Sequence, residues 1–297
     1  MKHFVLIDGH HLMYRAYWAI PRTLKTSTGE QVNMIFGVAS MLLSILKKEE
    51  PDAILFCMDA GGETFRHGEC ASYKEGRAET PEDFYVQIPR VFEMLDRWGI
   101  RQVSDPQFEA DDFLCTYALA GKKAGMRVSV ITGDRDALQL VQEGVTMIIP
   151  HKGYNEAEYL DAENVWKKYG VRPDQIPAFK GLTGDPSDNL PGVKGIGPKT
   201  AATLLQEYAS LENIYEHLND LPKGVKEKLV QDREQAFFCQ KMSRLVCDIP
   251  LPIPLVDLEC KGLSTKKIID FFEELEFTLL MRRLRNLQLE EQMPLFG

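Results

Sequence analysis

Phe4-Val5-Leu6-Ile7-Asp8-Gly9 decides the fold: four apolar residues, two of them β-branched, run directly into an acid and a glycine. A short continuous apolar run closed by a polar turn is the pattern of a strand buried on both faces of a parallel sheet. Three further runs share it, Ala53-Ile54-Leu55-Phe56-Cys57-Met58, Val128-Ser129-Val130-Ile131 and Val145-Thr146-Met147-Ile148-Ile149. Helical patterns lie between them: Met34 to Lys48 behind Asn33 as N-cap, and Ala110 to Lys123 stopped by Gly125. This alternation predicts an α/β layer structure, a mostly parallel central sheet flanked by helices. From about Asp161 the strand signals give way to short helical stretches broken by Gly and Pro, at Asp161–Tyr169, Pro173–Phe179 and Lys199–Tyr208. Pro250, Pro252 and Pro254 predict an extended connector, and Thr265 to Leu289 a return to helix. The expected organisation is an α/β core over 1–160, a helical region over 161–250, and a C-terminal helical segment and tail over 251–297.

The 297 residues are 44% hydrophobic and 27% charged, as in ordinary soluble globular chains. No apolar run approaches the ~20 residues that span a bilayer. The apolar stretch before Asp8 is too short for a signal peptide, so a cytoplasmic location is expected. The six cysteines form no C-x-x-C pair and none stands at zinc spacing from a histidine. They are expected as buried or free thiols, and any metal is expected on oxygen ligands.

Asp8 follows the first strand, Asp59 the second and Asp134 the third, the last after Thr132-Gly133. In an open parallel sheet the carboxyl ends of the strands share one edge, where ligand crevices form, so these three acids converge. Further acids stand in Glu109-Ala110-Asp111-Asp112 at a helix start, Asp134-Arg135-Asp136, and Asp185-Pro186-Ser187-Asp188. Any one of them reads most simply as a helix cap. Together they are too many anions for one place unless divalent cations neutralise them. All-oxygen ligation suits Mg²⁺, with Mn²⁺ as a substitute.

Gly192-Val193-Lys194-Gly195-Ile196-Gly197-Pro198-Lys199-Thr200-Ala201 is a glycine-rich turn entering a helix, with Pro198 placed as an N1 proline. Glycines let a backbone approach phosphates, and the helix N-terminus behind them favours an anion. The net charge of −9 argues at first against a nucleic-acid partner. The nine acids Asp8, Asp59, Glu109, Asp111, Asp112, Asp134, Asp136, Asp185 and Asp188 account for all of it, so the acidity belongs to the candidate metal site.

The motifs Ile7-Asp8-Gly9-His10-His11, Met58-Asp59-Ala60, Phe108-Glu109-Ala110-Asp111-Asp112, Thr132-Gly133-Asp134-Arg135-Asp136 and Gly184-Asp185-Pro186-Ser187-Asp188-Asn189 occur in the order of the 5′ nuclease superfamily. The chain resembles the 5′–3′ exonuclease domain of bacterial DNA polymerase I and its stand-alone relatives over about Lys2 to Pro250. The resemblance implies a PIN-like core holding two ions, one among Asp8, Asp59, Glu109 and Asp111. The other lies among Asp134, Asp136, Asp185 and Asp188, with Asp112 nearby; direct and water-mediated ligands are not distinguished. It implies in-line attack of activated water on phosphorus, leaving a 5′-phosphate. It also implies a helical arch over about 60–89, in which Arg66, Lys74 and Arg77 face phosphates and Tyr73 stacks on a base. Lys74 and Arg77 then act on the scissile phosphate. Tyr14 and Arg15 are candidate contacts to the substrate strand, a packed aromatic being the alternative for Tyr14.

The glycine-rich turn resembles the helix-hairpin-helix of DNA repair proteins, which implies backbone contacts to duplex DNA through Gly192, Lys194, Gly195, Gly197, Lys199 and Thr200. In relatives K⁺ bridges such a hairpin to phosphate. Gln292-Met293-Pro294-Leu295-Phe296 resembles the Q-x-x-L-F peptide that docks on the bacterial sliding clamp, through Gln292, Leu295 and Phe296; a tail that merely ends in Leu-Phe is the alternative. The expected protein is a stand-alone, monomeric, metal-dependent 5′–3′ exonuclease and flap endonuclease acting on DNA with a 5′ end or flap in replication and repair. A non-catalytic DNA-structure binder and a PIN-class ribonuclease are the alternatives.

Overall fold

The computed structural model describes residues 1–62, 64–70, 72–75, 79–260, 263 and 265–292, the last five of these as backbone. The chain begins β1 (His3–Asp8), α1 (Gly9–Ala19), α2 (Asn33–Glu49), β2 (Ala53–Cys57), α3 (Phe65–Glu69), α4 (Glu82–Tyr85), α5 (Ile88–Trp98) and β3 (Arg101–Val103). It continues α6 (Ala110–Lys123), β4 (Arg127–Ile131), β5 (Val145–His151), β6 (Gly153–Leu160), α7 (Ala162–Tyr169), α8 (Ile176–Thr183) and α9 (Pro198–Tyr208). Last come α10 (Leu211–Glu216), α11 (Lys223–Gln231), α12 (Arg233–Met242), α13 (Thr265–Glu274) and α14 (Thr278–Gln292).

One sheet runs β3-β2-β1-β4-β5-β6, parallel throughout except for β6, which is antiparallel to β5. The expected mostly parallel α/β architecture is therefore present. Each central strand alternates its side chains between two cores. Phe4, Leu6, Leu55, Val128 and Val130 face α6 and the helices that follow α7. Val5, Ile7, Ile54, Phe56 and Ile131 face α1, α2, α5, α13 and α14. The first of these cores runs on without a break into Leu182, Ala201, Leu205, Ile214 and Leu229, so the sheet and the helical region share apolar packing.

Several sequence expectations need correction. Two strands gave no clear signal: β3 is three residues at one edge, and β6 is a polar edge strand reading Gly-Tyr-Asn-Glu-Ala-Glu-Tyr-Leu. Asn33 is the first residue of α2 rather than its cap, which is Val32 without a side-chain bond. Its amide is buried instead, donating to the Tyr17 carbonyl at 2.9 Å and accepting from Gln87 at 3.1 Å, so that it ties α1 and α5 to α2. The helix expected over Thr265 to Leu289 is two, α13 and α14, broken where Glu276 takes φ 61°.

The cysteine expectation also changes. Cys115 on α6 and Cys247, in the connector after α12, are joined as a disulfide across 132 residues of sequence, while Cys57, Cys70, Cys239 and Cys260 are free. Spacing rules built on neighbouring cysteines do not see a pair so far apart. The bond staples the end of the helical region to the helix that carries Glu109, Asp111 and Asp112 at its start. Closing so long a loop should stabilise the fold by roughly 2–4 kcal/mol. Thiol titration of the denatured chain should find four groups before reduction and six after, and reductant should lower the thermal midpoint. Six thiols without reductant would show that the bond does not form.

Candidate active site

The acids arrive at one edge of the sheet because the fold caps its helices with them. Asp8 ends β1 and caps α1, accepting from the His11 N–H at 2.9 Å and from the Thr132 hydroxyl at 2.6 Å. Asp59, just past β2, accepts from the Ala110 N–H at 2.8 Å and so locks the β2 loop to the first turn of α6. Glu109 caps α6, which puts Asp111 and Asp112 in its first turn. Asp134 caps the 3-10 turn Arg135–Leu140 behind β4 and accepts from the Asp136 N–H at 2.9 Å. Asp185 caps the turn Pro186–Asp188 and accepts from the Ser187 N–H at 2.9 Å. Capping and convergence are thus compatible, because a carboxylate offers about four lone-pair sites and a cap bond uses one of them.

β2, β1 and β4 are adjacent in the sheet, and the order of strands reverses at β1, the position where open α/β sheets form their ligand crevice. Glu109, Asp111, Asp134, Asp136 and Asp188 line one narrow cavity there, of about 10 Å³, together with Lys74. Carboxylate oxygens of Asp136, Asp185 and Asp188 lie within 4.8 Å of one another. Burial pushes the Asp8 carboxyl up to about 7 against the pull of Thr132 and His11, and Asp59 and Asp134 add to the rise. Burial likewise raises Asp111, reinforced by Asp134, Asp8, Asp136 and Asp59. Asp136 is raised to about 7 by burial in spite of Lys180. Oδ1 of Asp111 is buried and accepts no hydrogen bond among the described residues. A buried carboxylate oxygen without a donor, ringed by other acids, fits a divalent cation on oxygen ligands.

Other expected site residues fall elsewhere. Asp112, expected at the metals, is fully buried and saturated: both its oxygens take the Arg66 guanidinium at 2.8 Å, and the N–H groups of Val246 and Glu109 complete it at 2.9 and 3.2 Å. Arg66, expected as a phosphate-facing cation, is 2% exposed in that pair and also donates to the Arg244 carbonyl. Tyr73, expected as a stacking residue, is buried with its hydroxyl donating to Asp188 at 3.1 Å. A contiguous loop with a Gly-rich start does not reveal which of its side chains turn inward. Lys74 reaches Glu109 at 2.9 Å on the rim of the cavity, and Arg77 lies outside the described residues. Tyr14 is 42% exposed and packs edge-on to Trp18; Arg15, half-buried, donates to the His151 carbonyl.

In the hairpin between α8 and α9, Lys194, Gly195, Gly197 and Lys199 are exposed and Thr200 is half-buried. Gly192, expected at the DNA face, is buried: at φ 64° its missing Cβ would stand 2.1 Å from the Gly184 nitrogen, so its smallness serves the packing of two backbone turns. The Gly195 carbonyl accepts from the Lys228 ammonium at 2.9 Å. Gln292 is described as backbone only, and Leu295 and Phe296 lie outside the described residues.

Two residues escaped the sequence reading. Lys180, 12% exposed on α8, bridges Asp136 and Asp185. Its five-residue distance from Asp185 was the available signal. His11 sits over Gly133, and burial, then Arg15, pushes its imidazole down to about 4.

Residues 3–170 match the family described as "5'-3' exonuclease, N-terminal resolvase-like domain", and residues 171–266 match "5'-3' exonuclease, C-terminal SAM fold". The chain belongs to the 5′-3′ exonuclease family. It is 39% identical to DNA polymerase I of Bacillus subtilis over 95% of its length, and 41% identical to the thermostable DNA polymerase I of Thermus thermophilus over 93%. It spans about a third of these curated relatives, 32% of each. In fold it is similar to the T5 5′-exonuclease solved with zinc (TM-score 0.68, 19% identity, 93% of this chain and 99% of that one). It is also similar to the catalytic core of Rad2 in complex with DNA substrate (TM-score 0.60, 19% identity, 96% of this chain and 91% of that one).

The raised carboxyls have a consequence for stability. A carboxyl whose folded value stands above its ordinary 3.8 binds more protons folded than unfolded, so its contribution is lost as pH rises towards the folded value of about 7. His3 and His11, both lowered, act in the opposite sense, and their effect dies away above their ordinary 6.5. In chelator, therefore, the thermal midpoint should fall between about pH 6.5 and 8, where the loss from the carboxyls outweighs the fading gain from the histidines. Asp8→Asn should flatten the fall, and a midpoint that stays level in the parent chain would contradict the raised carboxyls.

Proposed function

We propose that this chain is a Mg²⁺-dependent 5′–3′ exonuclease and flap endonuclease that removes primers or displaced 5′ strands from DNA during replication and repair. The observation that carries the reading is the buried acid cluster around the unpartnered Asp111 oxygen, opening beside the Lys74 ammonium. Among the solved relatives of this fold, T5 proteins are described with divalent metal ions and with DNA, which supports the same partners here. Asp8, Asp59 and Asp111 would hold one ion with Glu109 beside them, and Asp136, Asp185 and Asp188 the other, with Asp134 between. Bound there, divalent ions supply a nucleophilic hydroxide at neutral pH and stabilise the attacking and leaving oxygens of an in-line displacement.

The protein's own groups do the positioning. Asp59 fixes the start of α6, and Thr132 holds the Asp8 carboxylate in place from β4. Lys74 exchanges its bond to Glu109 for the scissile phosphate, and Arg77 joins it there. Lys194, Lys199 and the N-terminus of α9 hold the duplex by its phosphates, without reading sequence. K⁺ at the hairpin has Lys228 as its competitor, since that ammonium already uses the Gly195 carbonyl. The chain acts as a monomer in the cytoplasm, and its Gln292–Phe296 tail docks on the sliding clamp.

A 5′-labelled flap duplex separates this reading from its alternatives. With Mg²⁺ it should be cut near the junction, while EDTA or Asp134→Ala should abolish cutting. Lys74→Ala should slow single-turnover cleavage by on the order of 10²-fold. Binding without cleavage would leave a structure-binding protein, and cutting confined to single-stranded RNA a ribonuclease. Deleting residues 292–297 should remove clamp binding and spare hydrolysis of naked DNA; clamp binding that survives the deletion would refute the tail assignment.

A further inference from the structure

The group Asp136, Asp185 and Asp188 brings three carboxylates within 4.8 Å of one another at a buried position. Like charges so close repel strongly in a medium of low dielectric, and the chain folds with them together. What holds them is on α8. The Lys180 ammonium forms an ion pair with Oδ1 of Asp136 and donates to Oδ2 of Asp185 at 2.5 Å. The whole side chain is 12% exposed, so its aliphatic stem is enclosed and its charge is spent on the acids. The other subsite differs. Asp8 and Asp59 take their bonds from a hydroxyl and from backbone N–H groups, and Asp111 Oδ1 has neither a hydrogen bond nor an ion pair among the described residues.

We propose that Lys180 is the resident counter-cation of the second subsite, and that a divalent ion enters the Asp136–Asp185–Asp188 group by displacing its ammonium. This rests on the reading of that group as a metal site. An ammonium neutralises one charge and pairs with two of the three acids; a divalent ion neutralises two and takes one oxygen from each. The exchange favours the divalent ion, but every entry must first break an ion pair and a charge-assisted hydrogen bond. Lysine suits the task better than arginine, since a point charge on a flexible four-carbon stem withdraws without dismantling a planar bidentate pair. Among the described residues no side-chain cation bonds Asp8, Asp59 or Asp111, where the first ion would bind, and Lys74 stands off them on Glu109. The two ions therefore bind in order, and Lys180 sets the concentration at which the second arrives.

The test is a Mn²⁺ titration of the full chain followed by electron paramagnetic resonance, which counts free and bound ion without any substrate. The wild type should bind two ions of unequal affinity, and Asp185→Asn should lose the weaker one. Lys180→Met should bind the weaker ion at least about tenfold more tightly, equivalent to about 1.4 kcal/mol, and leave the tighter one unchanged within about twofold. In EDTA the same variant should unfold at a lower temperature than the wild type and gain more on adding Mn²⁺. Lys180→Gln gives the same comparison where the Met variant does not fold. A weaker site whose affinity is unchanged or reduced in both variants would overturn the displacement. A wild type that binds fewer than two ions would instead overturn the metal assignment on which it rests.

Discussion

The structure depends on how its buried carboxylates are neutralised. Two like charges about 4 Å apart near a protein surface repel by about 4 kcal/mol, so an uncompensated cluster of this size would rival the whole stability of a domain. The chain compensates its acids by three different means. Asp112 is given a guanidinium and becomes part of the framework. Asp136 and Asp185 share an ammonium, and Glu109 takes Lys74 at the rim. Asp8 and Asp59 receive only hydroxyl and backbone donors, and Asp111 keeps a buried oxygen with no donor among the described residues. The last group is where protonation or a bound cation has to complete the account, and the upward shifts of Asp8 and Asp111 record the same deficit.

The fold makes this concentration of charge affordable by spreading its supports over many elements. Parallel strands deliver Asp8, Asp59 and Asp134 to one edge, since all three strands point the same way. The helical region delivers Asp185 and Asp188, and it can do so accurately because its apolar residues continue the core under the sheet. The close backbone contact of Gly184 and Gly192 then sets the acid-bearing turn directly beside the hairpin. The same turn therefore joins two acids of the cluster, Asp185 and Asp188, to the surface proposed for the duplex.

Much of this was legible in the sequence, and the limits have physical causes. The four central strands, and the acids at the ends of three of them, follow from apolar runs closed by polar turns, which is a local pattern. β3 and β6 were hidden because an edge strand needs only a few inward side chains and tolerates Glu and Asn elsewhere. The sequence also named the acids without revealing their states. Asp111 and Asp112 are neighbours of the same type on one helix turn, yet a rotation of about 100° sends one to the cavity and the other to Arg66. Lys180 carries no motif of its own, since a lysine on a helix is ordinarily a solvated one. The Cys115–Cys247 pair depends on a tertiary approach of α6 and the connector that no local pattern encodes.

The same contrast separates Arg66 from Lys74. Arg66 and Lys74 both reach Glu109, at 3.3 and 2.9 Å. Arg66 could turn to a phosphate only by abandoning Asp112, which is fully buried and would keep an uncompensated charge, a penalty of about 3–5 kcal/mol. Lys74 has 23% of its side chain exposed, and leaving Glu109 strands no charge in isolation, because Arg66 remains beside that carboxylate. The buried arginine thus does more than hold α3 to α6: by staying, it keeps Glu109 partnered and lets the lysine leave.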